Sequence, residues 1–211
     1  MLKKRALAAK KRGFHAMMPL IDRLKKQLGF ASETRSPDTE PASAIPLAPT
    51  PAGSFQLRQA LGWPASEFTS VSWSPDGQRI AAGSADRCVR IWNVTTSAVE
   101  HLLEGHQDAV RSVAWSPDGR QLASGADDRT VRLWEASSGR ELLTLEGHQD
   151  AVQSVAWSPD GRHLASGSWD RTVRLWEASN GRKLCTLEGH QASVWSVAWS
   201  PDGRQLASEA V

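Results

Sequence analysis

Residues 164–176, LASGSWDRTVRLW, contain two serines, an aspartate and two tryptophans within thirteen positions. The stretch consists of two short runs of small, β-branched and apolar residues on either side of the segment WDR, which predicts two β-strands joined by a tight turn. With His163 immediately upstream, it also holds the three side-chain types of a Ser/His/Asp catalytic site. The first question is therefore whether these residues serve catalysis or structure.

The stretch belongs to a repeat with a fixed period. The turn sequence SPDG occurs four times between Ser74 and Ser200, and each copy begins 42 residues after the previous one. Residues 106–147 and 148–189 are identical at 35 of 42 positions. A period of this length indicates stacked copies of one supersecondary unit.

Each unit reads as short strands separated by turn residues. In the second unit VRSVAWS (110–116), RQLASG, TVRLWEA and ELLTLEG have the composition of strands, and SPDG, ADDR and a Ser-Gly pair lie between them. Proline presets φ in such turns, and aspartate and glycine accept the remaining turn conformations. Four strands and no helix in each unit predict an all-β fold.

These repeats resemble the WD-repeats, the units of β-propeller blades. The resemblance rests on a Gly-His pair, an aspartate in a turn and a tryptophan that closes the third strand, and it covers residues 54–211. It implies an all-β, partial WD-repeat β-propeller with four incomplete blades, preceded by a short basic helical segment. The repeats are expected at about 64–105, 106–147, 148–189 and, truncated, 190–211.

The resemblance also implies roles for the serine, histidine and aspartate, because these residues and the tryptophan form a hydrogen-bonded chain inside each WD-repeat blade. The matching positions are His106, Ser124, Asp128 and Trp134, and then His148, Ser166, Asp170 and Trp176. The chemistry agrees: an indole only donates, a hydroxyl donates and accepts, and a carboxylate accepts. Since these residues recur once per blade, we predict a structural chain and no catalytic residue.

A few positions differ between the near-identical repeats. Two of them border the turns beside the Gly-His loop, and the resemblance implies that these turns form one rim, commonly the partner-binding face. The residues there are Arg111, Gln153 and Trp195 at one position and Asp127 and Trp169 at the other. We predict that these five bind a protein partner, with Trp169 and Trp195 close together and exposed. The alternative is drift between recent duplicates, with the indole rings lying flat on neighbouring side chains.

The first and last units depart from the pattern. Trp63-Pro64 stands in place of Gly-His, Ala82 replaces the serine, and the fourth unit reads EAV (209–211) where its sisters read GAD or GSW. Three explanations are open: the polypeptide is a truncated piece of a longer product, copies self-associate to complete a propeller, or a four-bladed form closes with residues 54–62 as an outer strand.

The N-terminal part has a different character. Residues 1–30 carry nine Lys/Arg and one aspartate, a net charge of +8, and favour a basic amphipathic helical segment. Residues 31–53 are rich in proline and favour a flexible linker. Residues 54–211 carry fifteen Lys/Arg and nineteen Asp/Glu, a net charge of −4, and so give no general argument for nucleic-acid binding.

These observations lead to one functional prediction and two alternatives. Cys88 and Cys185 are far apart, and the chain has no metal-ligand cluster or phosphate-binding loop, so we expect no metal, no cofactor and no enzymatic activity. We predict a cytoplasmic, non-enzymatic protein–protein interaction scaffold or sensor module that binds partners on the propeller rim. The alternatives are a membrane-surface or nucleic-acid tether acting through residues 1–30, and a truncated remnant of a larger WD-repeat signalling protein.

Overall fold

The computed structural model describes residues 67–211, which form fourteen β-strands and contain no helix. The strands make three four-stranded antiparallel sheets and one two-stranded sheet, and the strands within each sheet are consecutive in the chain. We call these sheets blades 1 to 4 in chain order. The segments predicted at 1–30 and 31–53 lie outside the described residues.

The first two blades have the same strand lengths and connections. Blade 1 consists of β1 (Phe68–Trp73), β2 (Arg79–Ser84), β3 (Val89–Asn93) and β4 (Val99–Leu103). Blade 2 consists of β5 (Val110–Trp115), β6 (Gln121–Ala126), β7 (Val131–Glu135) and β8 (Glu141–Leu145).

The third blade repeats this arrangement and the fourth has its first half. Blade 3 consists of β9 (Val152–Trp157), β10 (His163–Ser168), β11 (Val173–Glu177) and β12 (Lys183–Leu187). Blade 4 consists of β13 (Val194–Trp199) and β14 (Leu206–Ala210).

The turn between the first two strands of each blade shows why the SPDG sequence recurs. In blade 2 the Ser116 hydroxyl donates to Asp118 Oδ1 over 2.6 Å, and the Arg120 N–H donates to the same oxygen over 3.0 Å. Gly119 has a φ of 70°, a left-handed conformation that glycine adopts without steric cost. The turn therefore fixes the antiparallel pairing of β5 and β6 through its own side chains.

Alternate residues of each strand point to opposite faces, and both faces are covered where a blade lies between two others. We call the face that contacts the preceding blade the front face and the opposite face the back face. One core cluster joins Ile91 and Leu103 on the back of blade 1 to Val113, Leu122 and Trp134 on the front of blade 2. Burial of these apolar faces against each other holds the blades together.

The same two hydrogen bonds recur at every junction between blades. The Trp115 indole N–H donates to the Ser72 carbonyl over 3.2 Å, and the equivalent bonds of Trp157 and Trp199 measure 3.0 and 3.1 Å. A backbone N–H two residues earlier donates to a serine hydroxyl of the preceding blade, as Val155 does to Ser112 over 3.1 Å. The junction is therefore a fixed geometry, repeated three times.

The prediction of an all-β, partial WD-repeat propeller is confirmed. Three blades have all four strands and only blade 4 lacks its second half, in agreement with about three and a half repeats. Blade 1 has its full set of strands although Ala82 replaces the serine of the repeat. The strands do not need that serine, because turn chemistry and apolar alternation are enough to specify them.

Candidate functional site

Four side chains of blade 2 form a continuous chain of hydrogen bonds. His106 Nδ1 lies 2.8 Å from Asp128 Oδ2, and His106 Nε2 lies 2.8 Å from Ser124 Oγ. The Trp134 indole N–H donates to the same Ser124 Oγ over 2.8 Å. The chain links the segment before β5 to β6 and β7, so that three parts of the blade are tied together.

Blade 3 repeats this arrangement with the same distances. His148 lies 2.8 Å from Asp170 Oδ2 and 2.8 Å from Ser166 Oγ, and the Trp176 indole N–H donates to Ser166 Oγ over 2.8 Å. Only one set of donors satisfies every atom: the indole donates to the serine, the serine hydroxyl to His148 Nε2, and the His148 Nδ1–H to the carboxylate. We call this four-residue chain the clasp.

Burial and hydrogen bonding set the charge state of the clasp in blade 3. Burial alone would raise the pKa of Asp170, but bonds from the Thr172 hydroxyl, the Gln149 N–H and His148 outweigh it and lower that pKa to about 2. Burial also lowers the pKa of His148 below its ordinary value, and this outweighs the opposite effect of the carboxylate. At neutral pH the aspartate is ionised and His148 is neutral, as the donor directions require.

The aspartate of the clasp has further partners that the sequence did not single out. The Thr130 and Thr172 hydroxyls each donate to the carboxylate two residues earlier over 2.7 Å. The N–H of Gln107 donates to Asp128 over 2.9 Å. The recurrence of threonine at positions 130 and 172, 42 residues apart, was the available signal.

The order of atoms in the clasp is that of a Ser-His-Asp catalytic triad, but its surroundings are not those of an active site. The Ser166 side chain is 0 % exposed and its oxygen already accepts the Trp176 indole N–H. A nucleophile must meet its substrate beside an oxyanion-binding site. Two buried copies with identical distances therefore favour a structural role.

Blades 1 and 4 have only parts of the clasp. In blade 4, His190 Nε2 lies 2.7 Å from Ser208 Oγ. In blade 1, the Arg90 guanidinium donates two hydrogen bonds to the Asp86 carboxylate, at 3.2 and 2.7 Å. The Trp92 ring there lies against Phe68 in an edge-to-face contact with centroids 5.4 Å apart.

Three of the five residues predicted to lie on the rim are in contact. Arg111 Nε donates to Asp127 Oδ1 over 2.9 Å, and Arg111 Nη2 donates to Asp127 Oδ2 over 2.5 Å. Gln153, on the next blade, donates to Asp127 Oδ1 over 3.4 Å. The Asp127 side chain is thus held by both blades and is 6 % exposed.

The other two predicted residues form an aromatic pair across the next junction. The rings of Trp169 and Trp195 meet edge to face, with centroids 5.4 Å apart and planes at 61°. Trp195 is 39 % exposed, whereas Trp169 is half-buried and its indole nitrogen is buried without a hydrogen-bond partner. Trp169 is therefore less exposed than expected, because Trp195 covers one side of it.

Residues 67–211 also bear on two other kinds of site. Within this range no group of three or more His, Cys, Asp or Glu side chains is placed to hold a metal ion. The same residues contain no helix of the length and apolar character that a membrane span requires.

Comparison with known proteins identifies the repeats. The sequence model described as "WD domain, G-beta repeat" matches residues 57–93, 97–135, 139–177 and 181–208. A solved structure titled "Structure of U3-55K" superposes with a TM-score of 0.64 at 31 % identity, over 66 % of this chain and 44 % of that one. These matches account for most of the described residues.

Similarity to curated proteins is confined to short segments. The U5 small nuclear ribonucleoprotein 40 kDa protein of Mus musculus is 54 % identical over 39 residues, or 18 % of this chain and 11 % of that protein. The probable serine/threonine-protein kinase PkwA of Thermomonospora curvata is 48 % identical over 46 residues, or 22 % of this chain and 6 % of that protein. The chain thus spans only 11 % and 6 % of the length of these two relatives. None of their names supports the cytoplasmic location predicted from the sequence.

Proposed function

Because the chain belongs to the WD domain, G-beta repeat family, whose members in general act as non-enzymatic interaction scaffolds, we propose that it binds a protein partner on the rim formed by Arg111, Asp127, Gln153, Trp169 and Trp195. The observation that carries the proposal is that the rim residues vary between blades 2 and 3 whereas the clasp residues do not. The clasp is identical in blades 2 and 3, whereas the rim changes from an ion pair to a pair of tryptophans.

The tryptophan pair supplies the kind of surface that dominates protein interfaces. Tryptophan is enriched among hot-spot residues because a large ring removes much apolar surface from water when it is covered. Along the order of the blades, the polar group of Arg111, Asp127 and Gln153 belongs to blades 2 and 3, and the pair of Trp169 and Trp195 belongs to blades 3 and 4. An apolar anchor beside polar donors and acceptors suits an exposed segment of a protein partner.

The repeats themselves offer the sharpest test. Trp169→Asp with Trp195→Gln installs on blades 3 and 4 the cross-blade pair that Asp127 and Gln153 form one blade earlier. Gln153 stands there in place of the Arg111 partner, so thermal unfolding is used to verify that the variant is folded. We expect partner affinity to fall by at least about 30-fold, since a hot-spot residue contributes about 2 kcal/mol or more. Affinity capture with quantitative mass spectrometry identifies the partner, and titration with that purified protein gives the loss.

Trp73→Gln is the matched control, because Trp73 is 57 % exposed but lies on the front face of blade 1, away from the rim. It should leave the captured proteins and their affinity unchanged. Retention of the same partner by the double rim variant, at undiminished affinity, would refute the rim as the binding surface.

A second candidate function is supported by charge. Residues 1–30 carry a net charge of +8, and several relatives are named as a small nuclear ribonucleoprotein protein. A segment of this charge suits nucleic acid or an anionic membrane surface. Binding of the full chain to single-stranded RNA or to phosphatidylserine vesicles that weakens steeply with salt, and persists in the double rim variant, would favour this tether over the rim.

A further inference from the structure

The three complete blades carry an arginine at the same position of the third strand, and they differ in what binds its guanidinium. In blade 1, Arg90 donates two hydrogen bonds to the Asp86 carboxylate. In blade 2, where His106 binds the aspartate of the turn, Arg132 donates to the Glu141 carboxylate instead. Each of these largely buried cations therefore has an anionic partner within its own blade.

Arg174, at this position of blade 3, has no such partner among residues 67–211. Its side chain is 10 % exposed, its Nε atom is buried without a hydrogen bond, and the one carboxylate within ion-pair distance is Asp170, at 3.9 Å. That carboxylate is already bound by His148 and Thr172. Because buried charged groups in proteins are normally paired, a guanidinium left in this state points to a ligand.

A single substitution between near-identical repeats accounts for the difference. The second and third repeats are identical at 35 of 42 positions, and one of the exceptions puts Lys183 where blade 2 has Glu141. Lys183 pairs with Trp176 across the sheet as Glu141 pairs with Trp134. The exchange removes a carboxylate and adds a positive charge at the same place.

Blade 2 shows which donors at this place bind a carboxylate. One oxygen of Glu141 accepts from the Arg132 guanidinium, and the other accepts from the Thr144 hydroxyl over 2.5 Å. A Cβ atom on Gly105 would lie 3.1 Å from Glu141 Oε2, so the carboxylate lies beside the loop that precedes β5. One cation and one hydroxyl thus satisfy both oxygens.

Blade 3 retains these donors. Arg174 and Thr186 follow their counterparts in blade 2 by 42 residues and pair with each other across the sheet. The Arg174 guanidinium lies against Gly147, as the corresponding guanidinium of blade 2 lies against its own glycine. The donor set that holds a carboxylate in blade 2 is therefore present in blade 3 without the carboxylate.

Positive charge is concentrated at the same place. Burial is the largest cause of the lowered pKa of His148, and the charges of Arg174 and Lys183 lower that pKa further. Both cations are therefore close to the clasp. Lys183 is exposed, so a negatively charged group can approach the pair from solvent.

We propose that Arg174, Lys183 and Thr186 form a binding site for a carboxylate group of another protein, an exposed aspartate or glutamate side chain. The bound carboxylate takes the place that Glu141 fills in blade 2: the guanidinium and the hydroxyl donate to its oxygens, and the Lys183 ammonium adds a second positive charge. Neither tryptophan of the rim belongs to this site, so the proposal does not depend on the rim.

The test follows the Arg174 Nε–H signal of the full-length protein by nuclear magnetic resonance while a triglutamate peptide, blocked at both ends, is added at physiological salt. A signal from one side chain excludes binding of the peptide to residues 1–30. The Arg174 signal, identified by its absence from Arg174→Gln, should shift and saturate. The Arg132 signal should not move, because Glu141 fills that site. A triglutamine peptide should shift neither signal.

Exchanging the differing residue between the blades provides matched variants. Lys183→Glu gives Arg174 a carboxylate of its own, so the affinity for the peptide should fall at least about tenfold. Glu141→Lys should make the Arg132 signal respond to the peptide. Lys183→Gln keeps the guanidinium and the hydroxyl, so it should weaken binding less than Lys183→Glu does. Thermal unfolding verifies that each variant is folded.

Three results would overturn the proposal. One is an Arg174 signal that the triglutamate peptide leaves unchanged, since no carboxylate would then be bound there. Another is an undiminished affinity in Lys183→Glu, which would place the peptide elsewhere. The third is tighter binding of inorganic phosphate than of the peptide at the Arg174 signal, which would assign the site to phosphate groups.

Discussion

Blade 3 and blade 1 hold the same aspartate and tryptophan of the repeat with different partners. In blade 3 the carboxylate of Asp170 binds neutral His148, and the Trp176 indole reaches that histidine through Ser166. In blade 1 the carboxylate of Asp86 binds the Arg90 guanidinium, and the Trp92 ring packs against Phe68. The turn aspartate is thus held by a side-chain donor in both blades, whereas the serine and histidine can be replaced.

The two arrangements differ in how strongly the parts depend on one another. The clasp joins four side chains in series, so the loss of the central serine leaves both the indole N–H and the imidazole nitrogen without their partner. In blade 1 the Arg90 guanidinium, which binds Asp86, lies over the Phe68 ring at 6.0 Å from its centroid, so the aspartate and the tryptophan are linked through ring contacts and not through a shared hydroxyl. Mutations that exchange features between the blades can measure this difference.

The largest effect is expected from Ser166→Ala, which gives blade 3 the alanine that blade 1 has at Ala82. It leaves the Trp176 N–H and His148 Nε2 buried and unpaired, at a cost of about 2–4 kcal/mol in the free energy of unfolding. Urea denaturation followed by tryptophan fluorescence measures the loss. The reverse change, Ala82→Ser, is the control and should alter stability by less than about 1 kcal/mol. Equal effects of the two changes would show that the clasp adds nothing.

A smaller loss of stability is expected when Arg90 of blade 1 or Arg174 of blade 3, which occupy the same position of the repeat, is replaced. Arg90→Met breaks the pair with Asp86, at 2.7 Å, and should cost about 1–3 kcal/mol, less than a fully buried pair because the carboxylate is partly exposed. Arg174→Met should cost less than Arg90→Met, since Arg174 lies 3.9 Å from Asp170, whose carboxylate already accepts from His148 and Thr172. Chemical denaturation compares the two, and a larger loss for Arg174→Met would contradict this account of blade 1.

The smallest expected change is the variation of the free energy of unfolding with pH that arises from the clasp. The pKa of His148 is lowered in the folded state, so the unfolded chain binds its proton more readily, and this contribution to stability falls as pH drops below about 6.5. The pKa of Asp170 is lowered from 3.8 to about 2, so its contribution is present above about pH 4 and is lost toward pH 2.

Chemical denaturation between about pH 8 and pH 5 tests the first of these contributions. His148→Gln should reduce the slope of unfolding free energy against pH relative to wild type, whereas Arg90→Met, on blade 1, should leave that slope unchanged. A wild-type slope that survives His148→Gln undiminished would assign the pH dependence to other groups.

Much of the fold followed from the sequence because its signals are local and repeated. The period of 42 residues, the SPDG turns and the alternation of apolar residues specify four strands per blade. The members of the clasp could be named because the resemblance to WD-repeats implies them and their donor and acceptor types agree, and in the structure each member lies 2.8 Å from the next. The extra donors Thr130 and Thr172 had the same signal but were not singled out.

The sequence by itself determined the strands, the turns and the residues available for each blade, since these depend on contacts within about forty positions of the chain. Only the tertiary structure decided what happens between blades: that Gln153 reaches Asp127, that Trp195 covers Trp169, and that one glycine in each of three blades lies close to a valine of the next blade. The physical reason is that such contacts depend on how two sheets stack. Stacking fixes the distances between side chains of neighbouring sheets, and these distances cannot be read from the order of residues in either sheet.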